Sequence, residues 1–271
     1  SVSKSAQENF VSHSAVSQAI KSLETYFEVG LIFHSKRRFQ LTPEGETCLI
    51  EGAKLLSLLN ETKENLQANS KEVRGSLSIW APQSLIVDSL YKTLAQYKKK
   101  YPKVQINLKP GASALVRAAI SSGEGSLGIL IDDGYIDSFQ STTIKNGNFI
   151  LVTKSLNSQN KESGVIVTSR EKIEVQHLIK NFKTKLKKDL RIEMEVMSWS
   201  VIKDLVEKNF GAGYVPDYCV HQELLSGRLR TISSPGTAFK YEVKAIWSLQ
   251  KQLQPNAKLF VDLLKQECGR A

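Results

Sequence analysis

Five residues with side chains suited to touching nucleic-acid edges recur at helical spacing: His13, Ser14, Ser17, Gln18 and Lys21. They fall at i, i+1, i+4, i+5 and i+8, which makes one narrow stripe of small or hydrogen-bonding groups. A polar face without bulk lets a helix sit deep in the DNA major groove, where base edges present donors and acceptors. Val16, Ile20, Leu23 and Phe27 form a second, apolar stripe on the same helix. Amphipathicity alone describes any surface helix, so the neighbours decide. Ser12 can cap the helix through its hydroxyl. Ser5-Ala6 and Phe10-Val11 supply a small residue and an apolar turn for a short helix in front of it. Downstream, residues 31–41 hold the basic tip Lys36-Arg37-Arg38 between apolar runs, a β-hairpin wing with charges placed for phosphates.

Other reactive residue types do not assemble into a catalytic pattern. His13, His34, His177 and His221 are scattered, with no HxxxH or HExxH spacing for a metal. No GxSxG elbow and no Walker sequence occurs. Gly211-Ala212-Gly213 reads as a tight helix-to-strand turn, and Glu193 and Glu195 as one solvent face. Cys48, Cys219 and Cys268 are odd in number and far apart. A redox switch between Cys219 and Cys268 is conceivable, but buried inert thiols are the ordinary case. The chain is therefore read as non-enzymatic, without metal or cofactor.

At 271 residues the chain can hold two or three domains. It has no run of 18 apolar residues for a membrane helix and no leader-like start, and its cysteine usage fits a reducing cytoplasm. Net charge is +10, yet this total does not mark the DNA-reading region. Residues 1–75 carry nine Lys/Arg and nine Asp/Glu, so the excess lies entirely in residues 76–271, with 28 against 18. Its densest parts, Lys98-Lys99-Lys100 and residues 180–191, read as solvated helix ends, or else as contacts to flanking DNA.

The elements that must position these groups follow in order. Residues 1–42 are expected to form a winged helix-turn-helix. Thr42, Pro43 and Glu44 then signal a helix start. The helix would run over 43–70, with Leu49, Ala53, Leu56, Leu59 and Leu66 on one side and Lys63 interrupting them. About 27 residues project about 40 Å, so the stripe needs a cover: a second chain in a coiled coil, or the chain's own effector domain. Residues 71–75 read as a hinge. From 76 onward strands alternate with helices, the pattern of an α/β fold with a mostly parallel sheet. Strands are expected at 76–81, 104–109, 127–131, 165–168, 192–197 and 212–215. Helices are expected over 84–101, 113–122, 175–187, 199–209, 217–225 and 256–266. Strands near 149–153 and 243–248 would cross between two lobes, about 76–150 with 245–271, and about 151–244.

The motif SxSAVSxxIKxLE at 12–24, followed by RRxxLTxxG at 37–45, resembles the N-terminal half of LysR-type transcriptional regulators. A weaker resemblance extends to the C-terminus. It implies a winged helix-turn-helix, a dimerising linker helix and a two-lobed effector domain of periplasmic-binding type. Ser14, Ser17 and Gln18 match positions that face bases in the family. Ser12, Lys21, Arg37 and Arg38 match positions that face the phosphate backbone, and His13 takes the place of a frequent Gln. Glu28 stands where Gly is usual, Ile32 where Phe is usual, and His34 where an Arg supports the wing. The family's helix before this motif is missing and no initiator Met is present, so the sequence reads as incomplete at its start.

Ligands of open parallel sheets bind beyond the carboxyl ends of strands. Three such junctions carry hydroxyls: Gln83-Ser84, Ala112-Ser113 and Ser198-Trp199-Ser200. Free N–H groups with serines suit an anion or carboxylate, although the serines could simply cap helices. These junctions match effector-facing loops of the family. Trp199 could stack on a planar effector or partly fill the cleft. Asp132 and Asp133 end a strand near it, where they would repel an anion, favour an amine, or form a solvated turn. The resulting reading is a DNA-binding regulator. It acts on double-stranded promoter DNA as a homodimer or homotetramer and responds to a small-molecule effector. The alternative is a solute-binding protein whose N-terminal region mediates oligomerisation.

Overall fold

The computed structural model describes residues 2–33, 40–67, 73–154, 164–233 and 236–269. Two compact units divide the chain, one built from residues 1–69 with 122–124 and the other from 70–121 and 125–271.

The first unit holds three helices: α1 (Val2–Glu8), α2 (His13–Phe27) and α3 (Pro43–Gln67). Ala6 is buried where α1 meets α2, and the Val11 N–H closes the turn onto the Ala6 carbonyl. Ser12 caps α2 as expected, its hydroxyl accepting from the Ala15 N–H at 3.1 Å. The other end of α2 is closed by Glu28 in the left-handed region, φ 57°. That conformation costs a side chain with a Cβ roughly 1 kcal/mol and costs glycine little. Glu28→Gly is therefore expected to stabilise the unit by about 1 kcal/mol, seen as a higher urea midpoint with DNA affinity unchanged.

Thr42 caps α3, accepting from the Gly45 N–H at 2.9 Å while donating to the Gly30 carbonyl at 2.7 Å. Along α3 the side chains of Leu49, Leu56 and Leu59 are more than 60% exposed, with Leu55 and Leu58 beside them. The apolar row is thus not covered within this chain's own first unit, which is what a helix in search of a partner looks like.

The second unit is a mixed sheet. Its lobe I part contains β1 (Gly75–Ala81), α4 (Gln83–Leu85), a π-helical turn (Ile86–Leu90), α5 (Tyr91–Lys100), β2 (Val104–Pro110), α6 (Ser113–Ser121) and β3 (Leu127–Ile131). β4 (Phe139–Thr153) carries the chain across. Lobe II contains β5 (Val165–Val167), α7 (Ile173–Lys185), β6 (Ile192–Glu195), α8 (Trp199–Glu207), β7 (Ala212–Pro216), a 3-10 turn (Asp217–Val220), α9 (His221–Leu225) and β8 (Arg230–Thr231). β9 (Phe239–Ser248) crosses back, and α10 (Pro255–Gly269) closes lobe I. Tyr97 on α5 donates to the Asn256 carbonyl at 2.8 Å, and Asn256 donates to the Ser76 carbonyl, which fastens α10 in place.

The strand order is β2-β1-β3-β9-β4-β7-β5-β6, with β8 on β4. Pairing is parallel within β2-β1-β3 and within β7-β5-β6. It is antiparallel along β3-β9-β4-β7. The expectation of a mostly parallel sheet therefore holds for each flank and fails at the centre. The physical reason is that β4 and β9 run through both lobes and pair with each other over residues 139–149 and 239–248, with a register shift between Thr143 and Lys145.

Four other elements differ from the expectations. Gly75 (φ 106°) begins β1 and does not belong to a hinge; residues 71–72 lie outside the described residues. The helix expected over 84–101 is interrupted by the π turn. The helix expected at 217 opens as a 3-10 turn. The first half of β4, residues 139–148, was not anticipated, because QSTTIKNGN is polar and becomes a strand only through its long partner β9.

One apolar core runs through both lobes. It joins Leu77, Ile79 and Ile129 to Val165, Val167 and Leu178 by way of Phe149, Tyr214, Tyr218 and Tyr241.

Candidate DNA-reading and effector-binding sites

In the first unit the structure brings the expected readers together. Ser12, His13, Ser14, Gln18 and Lys21 are exposed on α2, and Ser17 is half-buried among them. Ser12 and Ser14 share a hydroxyl–hydroxyl hydrogen bond of 2.8 Å, so the cap and the first expected reader are held as a pair. None of the α2 side chains is buried: Leu23 and Phe27 of the apolar stripe stay about half exposed, and Val16 and Ile20 are half-buried.

The wing starts from a contact the sequence did not single out. Glu24 Oε1 accepts from the backbone N–H groups of Leu31 (2.8 Å) and Ile32 (3.3 Å). The stem then pairs Ile32 with Leu41, and Phe33 donates to the Gln40 carbonyl at 2.9 Å. The tip residues Lys36, Arg37 and Arg38, with His34, lie outside the described residues. Gly45, the last residue of the RRxxLTxxG motif, has a physical reason to be glycine. A Cβ there would collide with the Leu31 carbonyl oxygen, the same oxygen that accepts from the Thr42 N–H.

In the second unit the effector residues are placed less uniformly. Gln83 is exposed at the start of α4. Ser84 is buried, and its hydroxyl lies 3.0 Å from the Tyr218 hydroxyl across the two lobes. The hydroxyl expected to face an anion is thus already in use. Ala112 is exposed and Ser113 half-buried at the start of α6. Ser198 caps α8, accepting from the Val201 N–H at 3.5 Å. Trp199 does not stand open as a wall. Its ring packs edge-on against Phe149 (5.7 Å) and Tyr218 (6.4 Å).

Asp132 and Asp133 are not a bare acidic pair. Lys244 lies 2.7 Å from Asp132, and Arg117 grips Asp133 at 2.7 and 2.8 Å. Burial works against ionisation of Asp132, but the hydrogen bonds from Lys244 and the Gly134 N–H outweigh it and hold the carboxyl below its ordinary range. The reading of the pair as a repulsive or amine-seeking feature gives way to two neutralised ion pairs.

The larger feature is an aromatic seam between the lobes, of which the sequence singled out only Trp199. Phe149 touches the rings of Trp199, Tyr214, Phe239 and Tyr241 at 5.5–6.3 Å. Tyr241 donates to the Asp217 carboxylate, which also accepts from the Asn148 N–H. Lys145 sits 4.9 Å over the Tyr218 ring and donates to Ser89 on the π turn. Beside it, burial pushes the Asp88 carboxyl up to about 6, with Lys203 and Glu223 in electrostatic reach and the Cys219 thiol hydrogen-bonded to it. Cys219 is a buried free thiol whose pKa burial raises, and Cys268 is free and raised for the same reason, so neither favours a thiolate. Among the described residues no group of His, Cys, Asp or Glu is arranged to hold a metal ion. None of the described helices is long and apolar enough to cross a membrane.

Comparison with known proteins covers both units. Residues 1–46 match the bacterial regulatory helix-turn-helix protein model of the lysR family, and residues 70–269 match the LysR substrate binding domain. YraN of Bacillus subtilis, described as an uncharacterized HTH-type transcriptional regulator, is 24% identical over 271 residues, covering 98% of this chain and 93% of its own. A probable RuBisCO transcriptional regulator of Trichormus variabilis is 24% identical over 275 residues, covering 96% and 82%. Among solved structures, full-length OxyR of Pseudomonas aeruginosa superposes with a TM-score of 0.70 at 16% identity, over 97% of this chain and 92% of that one. DarR of Vibrio fischeri, solved in complex with DNA, gives 0.60 at 17%, over 97% and 92%. At these identities the structural likeness establishes the fold.

Proposed function

The chain belongs to the LysR family of bacterial transcriptional regulators, and from that membership we propose how its parts share the work. It is a regulator with a helix-turn-helix and an effector-binding domain. Residues 1–42 serve as the DNA reader, 43–70 as the dimerising helix and 76–271 as the effector domain. Ser14, Ser17 and Gln18, with His13, face bases. Ser12, Lys21, Lys36, Arg37 and Arg38 face phosphates. The observation that carries this is the exposed polar stripe on α2, capped by Ser12 and free of bulky side chains.

The uncovered leucines of α3 make a homodimer the natural assembly, with a tetramer built from two such pairs. The effector binds at the strand–helix junctions that carry Gln83, Ser113 and Ser198. It acts by favouring one arrangement of the lobes, which changes the separation of the paired recognition helices. The protein works in the cytoplasm, on promoter DNA, and performs no catalysis of its own. The solute-binding alternative has no observation in its favour once residues 1–46 match a helix-turn-helix model.

The experiment is a binding titration of two variants against salt and sequence. Gln18→Ala should cost about 1–3 kcal/mol on the best site and relax base preference. Arg37→Ala should weaken all sequences alike and flatten the salt slope by about one unit. If both variants bound every DNA as the parent does, the reader assignment would be wrong.

A further inference from the structure

Lobe I meets lobe II at α4 and the π turn Ile86–Leu90 on one side and the 3-10 turn Asp217–Val220 on the other. A π turn inside a helix is rare and recurs at functional positions. The contacts across this junction are polar. The Ser84 and Tyr218 hydroxyls lie 3.0 Å apart. Lys145, on the crossing strand β4, donates to Ser89 at 3.1 Å and lies 4.9 Å over the Tyr218 ring. Asp88, between Ser84 and Ser89 in the chain, accepts a hydrogen bond from the Cys219 thiol, which is buried in lobe II.

Asp88 is the acidic member of the junction, and the charges around it are already in use. Lys203 on α8 and Lys145 on β4 attract its carboxylate, and Glu223 on α9 repels it. Lys203 pairs with Glu223 at 3.3 Å, and Lys145 is engaged by Ser89 and the Tyr218 ring. Glu223 also accepts from Arg228 at 3.1 Å. Lys92, one turn further along α5, is exposed, with its ammonium 5.9 Å over the Tyr91 ring. The carboxyl therefore enters the junction without a cation of its own. Burial outweighs the attraction and lifts it from an ordinary 3.8 to about 6.

We propose that this junction is a proton-operated catch between the lobes, closed when Asp88 takes up a proton and loosened when Asp88 is ionised. A carboxyl released into water as the lobes part returns to its ordinary range. The joined arrangement then binds more protons than the parted one between 3.8 and about 6. Its advantage is full below that window and is lost as pH rises through about 6. The proton becomes an input beside the effector, acting on the same lobe equilibrium. Only the effect on promoter binding rests on the regulator reading; the catch itself needs no DNA.

Hydrogen exchange on the full chain, without ligand, reads the catch. Protection factors, which remove the intrinsic pH dependence of exchange, are compared at about pH 5 and about pH 7.5. The amides of 86–90 and 217–220 are followed, with those of β3, 127–131, as internal reference. Relative to that reference, protection in the parent should be about tenfold higher at the lower pH. Asp88→Asn keeps the shape without the charge and should show the higher protection at both pH values. Ser84→Ala should lower protection at both. Equal relative protection at the two pH values in the parent, or a rise toward the higher pH, overturns the proposal, and this comparison needs no variant to fold. An Asp88→Asn chain that keeps the parent's pH dependence, or a Ser84→Ala chain with the parent's protection, overturns it as well. A gel shift on promoter DNA at the two pH values is scored separately. If protection responds to pH and the gel shift fails at both, the catch stands and the regulator reading falls.

Discussion

Gly45→Ala is expected to disable DNA binding. The methyl group has no space, because it would meet the Leu31 carbonyl oxygen, and that oxygen is backbone. Leu31 is buried, and its N–H and C=O are both engaged, by Glu24 and by Thr42. To admit the methyl, the start of α3 must part from the base of the wing. Overpacking of this kind costs about 3 kcal/mol at its upper range, a large share of the stability of a small unit. Affinity for promoter DNA should fall by more than tenfold, and urea should unfold the N-terminal unit earlier. Gly52, seven residues along the same helix, is the control, since nothing lies within 4 Å of a Cβ built there. Gly52→Ala should be neutral or stabilise by up to about 1 kcal/mol. Equal behaviour of the two variants would refute the packing argument.

Phe149→Ala should have the largest effect on the effector domain. The ring is 3% exposed and meets four other aromatic rings. Truncation of a buried Phe costs about 3–5 kcal/mol, part of it for the cavity left behind. Phe149 also lies on β4, the strand common to both lobes, so the loss should loosen the lobes as well as lower the urea midpoint. Phe149→Leu keeps much of the volume and should cost clearly less. A loss below about 1 kcal/mol for the alanine variant would mean the seam collapses around the gap.

What could be read from the residues depended on how local the cause was. The α2 stripe, the Ser12 cap and the Thr42 cap are set by neighbours three or four positions away, and the structure has them as expected. Strand 127–131 was legible to the residue because Leu127, Ile129 and Leu130 form an apolar run with a single function, burial. The seam was not legible. Ser84 and Tyr218 are 134 positions apart, and nothing near Ser84 announces a partner. Asp132 and Asp133 looked like a pair because they adjoin in sequence, whereas their partners, Lys244 and Arg117, come from other elements. Glu28 was visible as a departure from the family pattern, and its φ of 57° explains why the family prefers glycine there.

The Glu24 carboxylate has a kinetic meaning. It ties the wing's first residues to the end of the helix whose earlier turns carry the proposed base readers. The stem is thereby ordered when the unit folds, so its conformational entropy is not lost again at the promoter. A reader assembled in advance can engage groove and backbone in one encounter, without a search for the second contact after the first. Glu24→Gln, which keeps the shape but weakens the acceptor, would lengthen that search and show itself first in the association rate.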